Sequence, residues 1–287
     1  MTRIAERLVV GCGYLGERVA RRWLTAGDRV VAVTRRPARA AELRSLGIDA
    51  VVADVTASDP GWPRAAAAPA GFSTVFWAVG FDRSAAAAPR DVHVTGLARL
   101  LDSLHGAPRV ILSSSTGVWG DEAGDVVCED TPVHPRREAG RVLLEAEATL
   151  RGHHHGPGTT LRFAGLYGPR RLPRLDDLRA GRPLAVDPDS WLNLVHVDDA
   201  AAVVCAVAAA EAPGSLYVVS DGRPIRRREW YGRLADLAGT PPPIWNPAAS
   251  RARGGDKRVD PSRLFRDVAV RLAHPDALAA LGGLVAG

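Results

Sequence analysis

Leu8-Val9-Val10-Gly11-Cys12-Gly13-Tyr14-Leu15-Gly16 is the stretch that decides the fold. An apolar run leads directly into glycines spaced G-x-G-x-x-G, the pattern of a strand that turns into a helix around a dinucleotide. Gly11 lets the chain turn tightly, Gly13 lets the backbone approach a pyrophosphate, and Gly16 lets the helix pack close to the sheet. Free N–H groups at the helix start are then expected to face the phosphates, with the helix dipole behind them. The hexapeptide alone is a weak signal, but its context supports it. Leu15, Val19 and Trp23 recur every fourth residue, the spacing of a buried helical stripe. Gly27-Asp28 closes that helix, and Arg29-Val30-Val31-Ala32-Val33 reads as the next strand. Gly11, Gly13, Tyr14, Leu15 and Gly16 are the first expected cofactor contacts.

Working outward, strand-like apolar runs fall at 8–10, 30–33, 50–53, 75–79 and 110–112, with helical patterns at 14–26, 39–46 and 91–104. Apolar strands alternating with helices imply a parallel sheet covered on both faces. A helix over 136–150 and a sixth strand over 160–166 follow. After Leu166, prolines and glycines break the pattern. A short strand at 193–195 precedes a helix over 198–211, whose two leading aspartates suit its dipole. A strand at 216–220, a helix at 228–238 and two short helices near 261–267 and 275–281 complete the chain. The fold class is therefore α/β: a doubly wound parallel Rossmann sheet with a small C-terminal lobe. Residues 1–166 are expected to form the NAD(P)-binding domain and 167–287 mainly the substrate lobe, with 192–220 returning to the first domain. The lobe is expected to close over the carboxyl ends of the strands.

Composition narrows the function. The 287 residues, 46% hydrophobic and 24% charged, match a soluble globular protein. No apolar run approaches the roughly 20 residues that span a bilayer. The N-terminus lacks an apolar signal core, so a cytoplasmic location without membrane contact is expected. Cys12, Cys128 and Cys205 are far apart, which argues against a disulfide framework or a zinc site. Cys12 reads as a small filler inside the turn. His153-His154-His155 reads as a solvated loop, because adjacent histidines rarely converge on a metal; no metal is expected. Net charge is +5, and only Lys257 among the 37 basic residues is a lysine. The arginines are scattered without interleaved aromatics, so nucleic acid is not an expected partner. A preference for anionic ligands is.

The second strand sets the cofactor choice. An NAD site usually carries Asp or Glu at its end, to hold the ribose hydroxyls. Here the residues are Thr34-Arg35-Arg36-Pro37. Two guanidiniums can clamp a 2′-phosphate, so NADP is favoured, with NAD as the alternative. After the fourth strand comes Trp77-Ala78-Val79-Gly80-Phe81-Asp82-Arg83. Ligands in such sheets sit beyond the carboxyl ends of the strands. That places Ala78 and Val79 by the cofactor, Phe81 and Arg83 by the substrate, and Asp82 as a candidate for proton handling. A surface ion pair between Asp82 and Arg83 is the plainer alternative.

Several segments together resemble the extended short-chain dehydrogenase/reductase superfamily of the NAD-dependent epimerase/dehydratase type, over nearly the whole chain. The glycine motif matches. Ala53-Asp54-Val55 is similar to the acidic turn that holds the adenine, so the resemblance adds Asp54 and Val55 to the cofactor set. Ser113-Ser114-Ser115-Thr116-Gly117-Val118-Trp119-Gly120 resembles the serine-rich strand end, with Trp119 where tyrosine is usual. Leu161 to Pro169 is similar to "LRxxxxYGP", and Asn193 to Ala200 to "HVDD". The opening glycine motif and Asp256-Lys257-Arg258-Val259 look most like the atypical, YeeZ-like branch.

The departures matter as much. The family normally uses Tyr-x-x-x-Lys, whose phenol moves a proton while hydride moves. None of the four tyrosines here has a lysine four residues on. The expected positions fall on Arg137 and Arg141. A guanidinium stays protonated, so Arg137 cannot replace the phenol; Arg141 could still bind a ribose or a substrate anion. The resemblance makes Ser115 the residue that polarises a substrate carbonyl or hydroxyl, with Thr116 sharing that role. A serine that merely satisfies the strand end is the alternative. Arg137, Trp119 and His196 are expected on the substrate side, although a structural hydrogen bond is the simpler role for His196. His93 falls where the family often has asparagine. The leading expectation is an atypical NAD(P)-dependent oxidoreductase acting on a small hydroxyl- or carbonyl-containing molecule. Its rivals are a non-redox isomerase, cyclase or lyase on the same fold, and a catalytically silent nucleotide-binding protein. A homodimer is a further implication of the resemblance.

Overall fold

The computed structural model describes residues 4–57, 71–80, 86–120, 122–156, 158–246 and 255–285. The apolar run that opens the chain becomes strand β1 (Glu6–Val10). Then come α1 (Gly16–Thr25), β2 (Arg29–Thr34), α2 (Pro37–Ser45), β3 (Asp49–Val52) and β4 (Thr74–Trp77). A π-helical turn, Asp91–Thr95, leads into α3 (Gly96–Ser103), followed by β5 (Arg109–Ser115). After β6 (Val126–Val127) come α4 (Glu138–Gly152) and β7 (Thr159–Phe163). Further on, α6 (Val197–Ala209) precedes β11 (Leu216–Val219), with β8 (Gly165–Tyr167), α5 (Leu175–Arg179), β9 (Trp191–Leu192) and β10 (Leu194–His196) before it.

Seven strands form one sheet in the order β11-β7-β5-β4-β1-β2-β3. The pairings β3–β2, β2–β1, β1–β4 and β4–β5 are parallel. β1 thus has β2 on one side and β4 on the other, and the chain direction of winding reverses between β1 and β4. That reversal is the switch point where doubly wound sheets open a crevice at their carboxyl ends.

The alternation of side chains along β1 explains the layers. Leu8 and Val10 join Val31, Val33, Val75, Trp77, Val110 and Leu112 in a core against Leu97, Leu100 and Leu101 of α3 and Val142, Ala146 and Leu150 of α4. Val9 points the other way, toward Gly16 of α1. Each fully buried side chain of this kind contributes about 1.5–3 kcal/mol relative to exposure. Arg109, at the start of β5, completes α6. Its guanidinium donates to the carbonyls of Val207 (2.9 Å) and Ala208 (2.8 Å), which lie in the last turn of the helix, and of Glu211 (3.1 Å) just beyond it.

The chain divides into two compact units that interleave in sequence. The first comprises 1–115, 138–162 and 201–217; the second comprises 116–137, 163–200 and 218–287. The sequence boundary at 166 therefore differs from the compact units in three ways: 116–137 groups with the later residues, so do 163–166, and only 201–217 returns to the earlier ones. The expected sixth strand, 160–166, is divided. Thr159–Phe163 stays in the large sheet, while Gly165–Tyr167 pairs with β10. Gly165 fits because a Cβ there would lie 3.1 Å from the Asn193 carbonyl.

The second unit also contains β12 (Ile225–Arg226), α7 (Arg227–Ala238), β13 (Arg258–Val259), α8 (Ser262–Asp267) and α9 (Ala277–Val285). Its strands form pairs, β10–β8, β12–β9 and β13–β6. Its core gathers Tyr167, Leu184, Trp230, Tyr231, Leu234 and Leu281.

Candidate functional site

The glycine turn sits at the switch point, and each glycine has its own reason to be there. Gly11 has φ +87°, and a Cβ on it would lie 2.7 Å from the Val79 backbone at the end of β4. A Cβ on Gly16 would lie 2.6 Å from the Gly11 carbonyl, which fixes how closely α1 starts against the turn. Gly13 is exposed, and a Cβ there would meet nothing within 4 Å. The turn is held by its own backbone: Gly11 N and Cys12 N donate to the Val33 carbonyl, and Gly13 N to the Gly11 carbonyl. No side chain caps the start of α1. A crevice whose inner glycines touch protein and whose outer glycine touches nothing, below an uncapped helix start, fits a pyrophosphate.

The other expected cofactor residues gather around it. Thr34 is half-buried at the end of β2, and Arg35 and Arg36 are exposed beside it. Asp54 and Val55 follow β3. Burial opposes ionisation of Asp54, but the backbone and hydroxyl of Thr56, at 2.8 and 2.7 Å, and the charge of Arg35 outweigh it and hold the carboxyl below its usual range. Val55 is buried against Gly96, the first residue of α3. Ala78 donates its N–H to the Val10 carbonyl, and Val79 backs Gly11. The carboxyl ends of β1, β2, β3 and β4 thus lie side by side along one edge of the sheet.

Arg39 was not singled out from the sequence, although it stands one helical turn beyond Arg35. Its Nε donates to the Cys12 carbonyl (3.3 Å), and its other nitrogens hold Glu17 and Glu42. It braces α2 against the glycine turn and brings a third guanidinium to that end of the sheet. Burial pushes the Cys12 thiol up to about 12, so it remains a thiol and packs as filler.

At the substrate side the structure is more selective. Ser115 ends β5 half-buried, and Thr116, also half-buried, opens a 3₁₀ turn. Arg137 is exposed just before α4, and Arg141 is exposed on its first turn. Trp119 is 1% exposed, and its indole donates to the Thr131 carbonyl at 3.1 Å. His196 is equally buried: its Nδ1 accepts from Asp198 N, and its ring stacks on His274 and meets the edge of Tyr167. Trp119 and His196, both expected on the substrate side, are thus buried among protein side chains. Phe81, Asp82 and Arg83 lie outside the described residues. His93 is buried on the π-helical turn, and burial alone brings its imidazole down to about 4, which keeps it neutral. Among the described residues no cluster of ligating side chains could hold a metal ion, and no helix is long and apolar enough to cross a membrane.

Sequence reasoning also passed over the network behind Ser115. Glu147 of α4 receives the Ser114 hydroxyl at 2.6 Å and a bidentate grip from Arg162 of β7 at 3.0 and 2.7 Å. The signal was a carboxylate on the inner face of a predicted helix, and only its pairing makes that tolerable.

The model of the NAD dependent epimerase/dehydratase family matches residues 7–220, from β1 through the last strand of the large sheet. The chain belongs to this family. Within it, protein YeeZ of Escherichia coli K12 is 34% identical over 193 residues, covering 66% of this chain and 67% of YeeZ. A conserved protein of unknown function from Silicibacter pomeroyi is 26% identical, with a TM-score of 0.78 over 98% of both chains. The fold extends to more distant structures. The Bordetella bronchiseptica enzyme WbmG, solved with NAD and UDP, has a TM-score of 0.79 at 18% identity, over 99% of this chain and 94% of its own. In this epimerase/dehydratase chain the glycine turn is present and no tyrosine has a lysine four residues on.

Proposed function

We propose that the chain is an NADP-preferring oxidoreductase that acts on a small hydroxyl- or carbonyl-bearing molecule. The observation that carries this reading is the nucleotide cradle, with Arg35 and Arg36 where an NAD site would place a carboxylate. Gly13 and the start of α1 would hold the pyrophosphate. Arg35 and Arg36 would grip a 2′-phosphate, a group that suits planar, bidentate donors. Asp54, Val55, Ala78 and Val79 would line the nucleoside halves. Bound there, the cofactor supplies a hydride donor or acceptor. Ser115, with Thr116 beside it in sequence, would hydrogen-bond the substrate oxygen, and Arg141 would hold an anionic group. Neither Arg137 nor Arg141 can shuttle a proton at neutral pH. Solvent, the substrate itself or Asp82 takes that role.

Fluorescence titration with NADPH and NADH tests the reading. NADPH is expected to bind about tenfold or more tightly than NADH, and Arg35→Ala/Arg36→Ala to remove that margin, about 1.4 kcal/mol or more. Failure of both nucleotides to bind overturns the redox reading. The missing Tyr-x-x-x-Lys favours one rival, an isomerase, cyclase or lyase on the same cradle. Label transfer from deuterated NADPH to product separates the two, because only net hydride transfer moves the label. Nucleotide sugars are the first substrates to screen, since WbmG was solved with UDP beside NAD.

A further inference from the structure

Lys257 is the one lysine in a chain that otherwise uses arginine for every basic residue. It is also buried, at 7% exposure. Its ammonium donates to two consecutive carbonyls, Gly120 O at 3.1 Å and Trp119 O at 3.4 Å. Those residues end the serine segment that begins at Ser113. The turn they form is tight on its other side too. A Cβ on Gly120 would lie 2.6 Å from the His134 carbonyl, and the Trp119 indole is tied to Thr131.

The backbone around Lys257 is equally constrained. Asn193 grips it on both sides, donating to the Lys257 carbonyl at 2.8 Å and accepting from Val259 N at 2.9 Å. The Asp256 carboxylate takes Trp191 N at 2.7 Å, and its carbonyl takes Glu122 N and Gly124 N. Arg258 N and Nε reach the carbonyls of Asp125 and Gly124, and β13 then pairs with β6. Residues 256–259 therefore form a clasp along 119–127, with one ammonium at its head.

An ammonium is an expensive way to fix a turn. Taking it out of water costs several kcal/mol, and carbonyls offset that only when they converge on it. A compact charge with three donors can meet two successive carbonyls at once. We propose that Lys257 is a positioning residue: its charge fixes the Trp119–Gly120 turn and thereby orders the substrate side of the serine segment. The second clause rests on the proposed role of Ser115 and Thr116; the first does not.

The test uses the full chain with Lys257→Met, which keeps the length and loses the charge, and Lys257→Arg, which keeps the charge. Amide exchange over 116–127 is expected to rise about tenfold or more in the methionine variant and to return most of the way in the arginine variant. NADPH affinity should stay within about twofold in both, since the cradle residues belong to the other unit. In the label-transfer assay, the methionine variant should lose about tenfold or more in kcat with little change in the KM for NADPH. Unchanged exchange in the methionine variant overturns the lock. Faster exchange with unchanged kcat overturns the positioning role. If the wild type shows no turnover, the oxidoreductase reading and the substrate clause fail together, and the exchange data still judge the lock.

Discussion

Ser114, Glu147 and Arg162 in one unit, and Tyr167, Asp221 and Trp230 in the other, are both groups of buried polar side chains, but only the first is satisfied. Glu147, 2% exposed, has both oxygens bonded. In the second group Tyr167 Oη, Asp221 Oδ2 and Trp230 Nε1 have no hydrogen-bond partner among the described residues. Burial first, then the nearby charge of Asp276, pushes the Asp221 carboxyl up to about 7 against the pull of Arg223 and backbone donors. The phenol of Tyr167 is pushed up as well, by burial and then by Asp221, Asp199 and Asp276. A closed network of this kind rigidifies and specifies its surroundings, whereas an open one is costly and invites water. The brace under the serine strand is the rigid element. The aromatic core of the second unit is the one that bears the cost of unsatisfied polar atoms.

Breaking the closed network should have the largest effect. Glu147→Gln leaves the Arg162 guanidinium buried without its counter-charge, and a loss of about 3–5 kcal/mol in unfolding free energy is expected. Denaturant melts check this, and a loss below about 1 kcal/mol would mean that the pair is not what braces β5 to α4 and β7.

Asp221 comes next. Its pKa is about 7 in the folded protein and about 3.9 in an unfolded chain. The folded state therefore binds the proton more tightly, and the stability this contributes is present below about pH 4 and lost as pH rises through 7. Asp221→Asn cannot lose it. The variant should exceed the wild type by on the order of 1–3 kcal/mol at pH 8 and match it near pH 4. Thermal melts at several pH values compare the two, with the histidines common to both. Equal pH slopes would show that Asp221 is not desolvated.

The smallest effects sharpen the contrast. Ser114→Ala removes a hydrogen bond to a carboxylate and should cost about 1.5 kcal/mol or more. Tyr167→Phe removes a hydroxyl that has no partner and should stay within about 0.5 kcal/mol of neutral, or stabilise. Should the tyrosine change cost more than the serine change, the second cluster is satisfied after all.

The fold was largely legible because its signals are local. Apolar strands and a 3.6-residue stripe mark β1, α1 and β2 without any knowledge of the rest. The placing of the glycine turn, Thr34, Asp54 and Ala78 after strands was legible for the same reason: each directly follows or ends an apolar run. What escaped depends on partners far away in sequence. Glu147 looks like any helix carboxylate until Arg162 and Ser114 are placed on it. Arg109 looks like a surface residue until its guanidinium meets α6, about a hundred residues on. The burial of Trp119 and His196 was not legible either, because a motif gives position in a family pattern and not packing. The division of 160–166 into two strands was hidden because Thr160 to Leu166 is short and extended in pattern, which fits one strand as well as two short ones.

The single lysine also makes the clasp self-reporting. An endoproteinase specific for lysine has one place to cut in the whole chain, after Lys257, and that bond is buried and flanked by the Asn193 grip. Cleavage into fragments of known boundary then counts the openings of one segment, without a label or a substitution, and its rate under native conditions reads how often the clasp lets go.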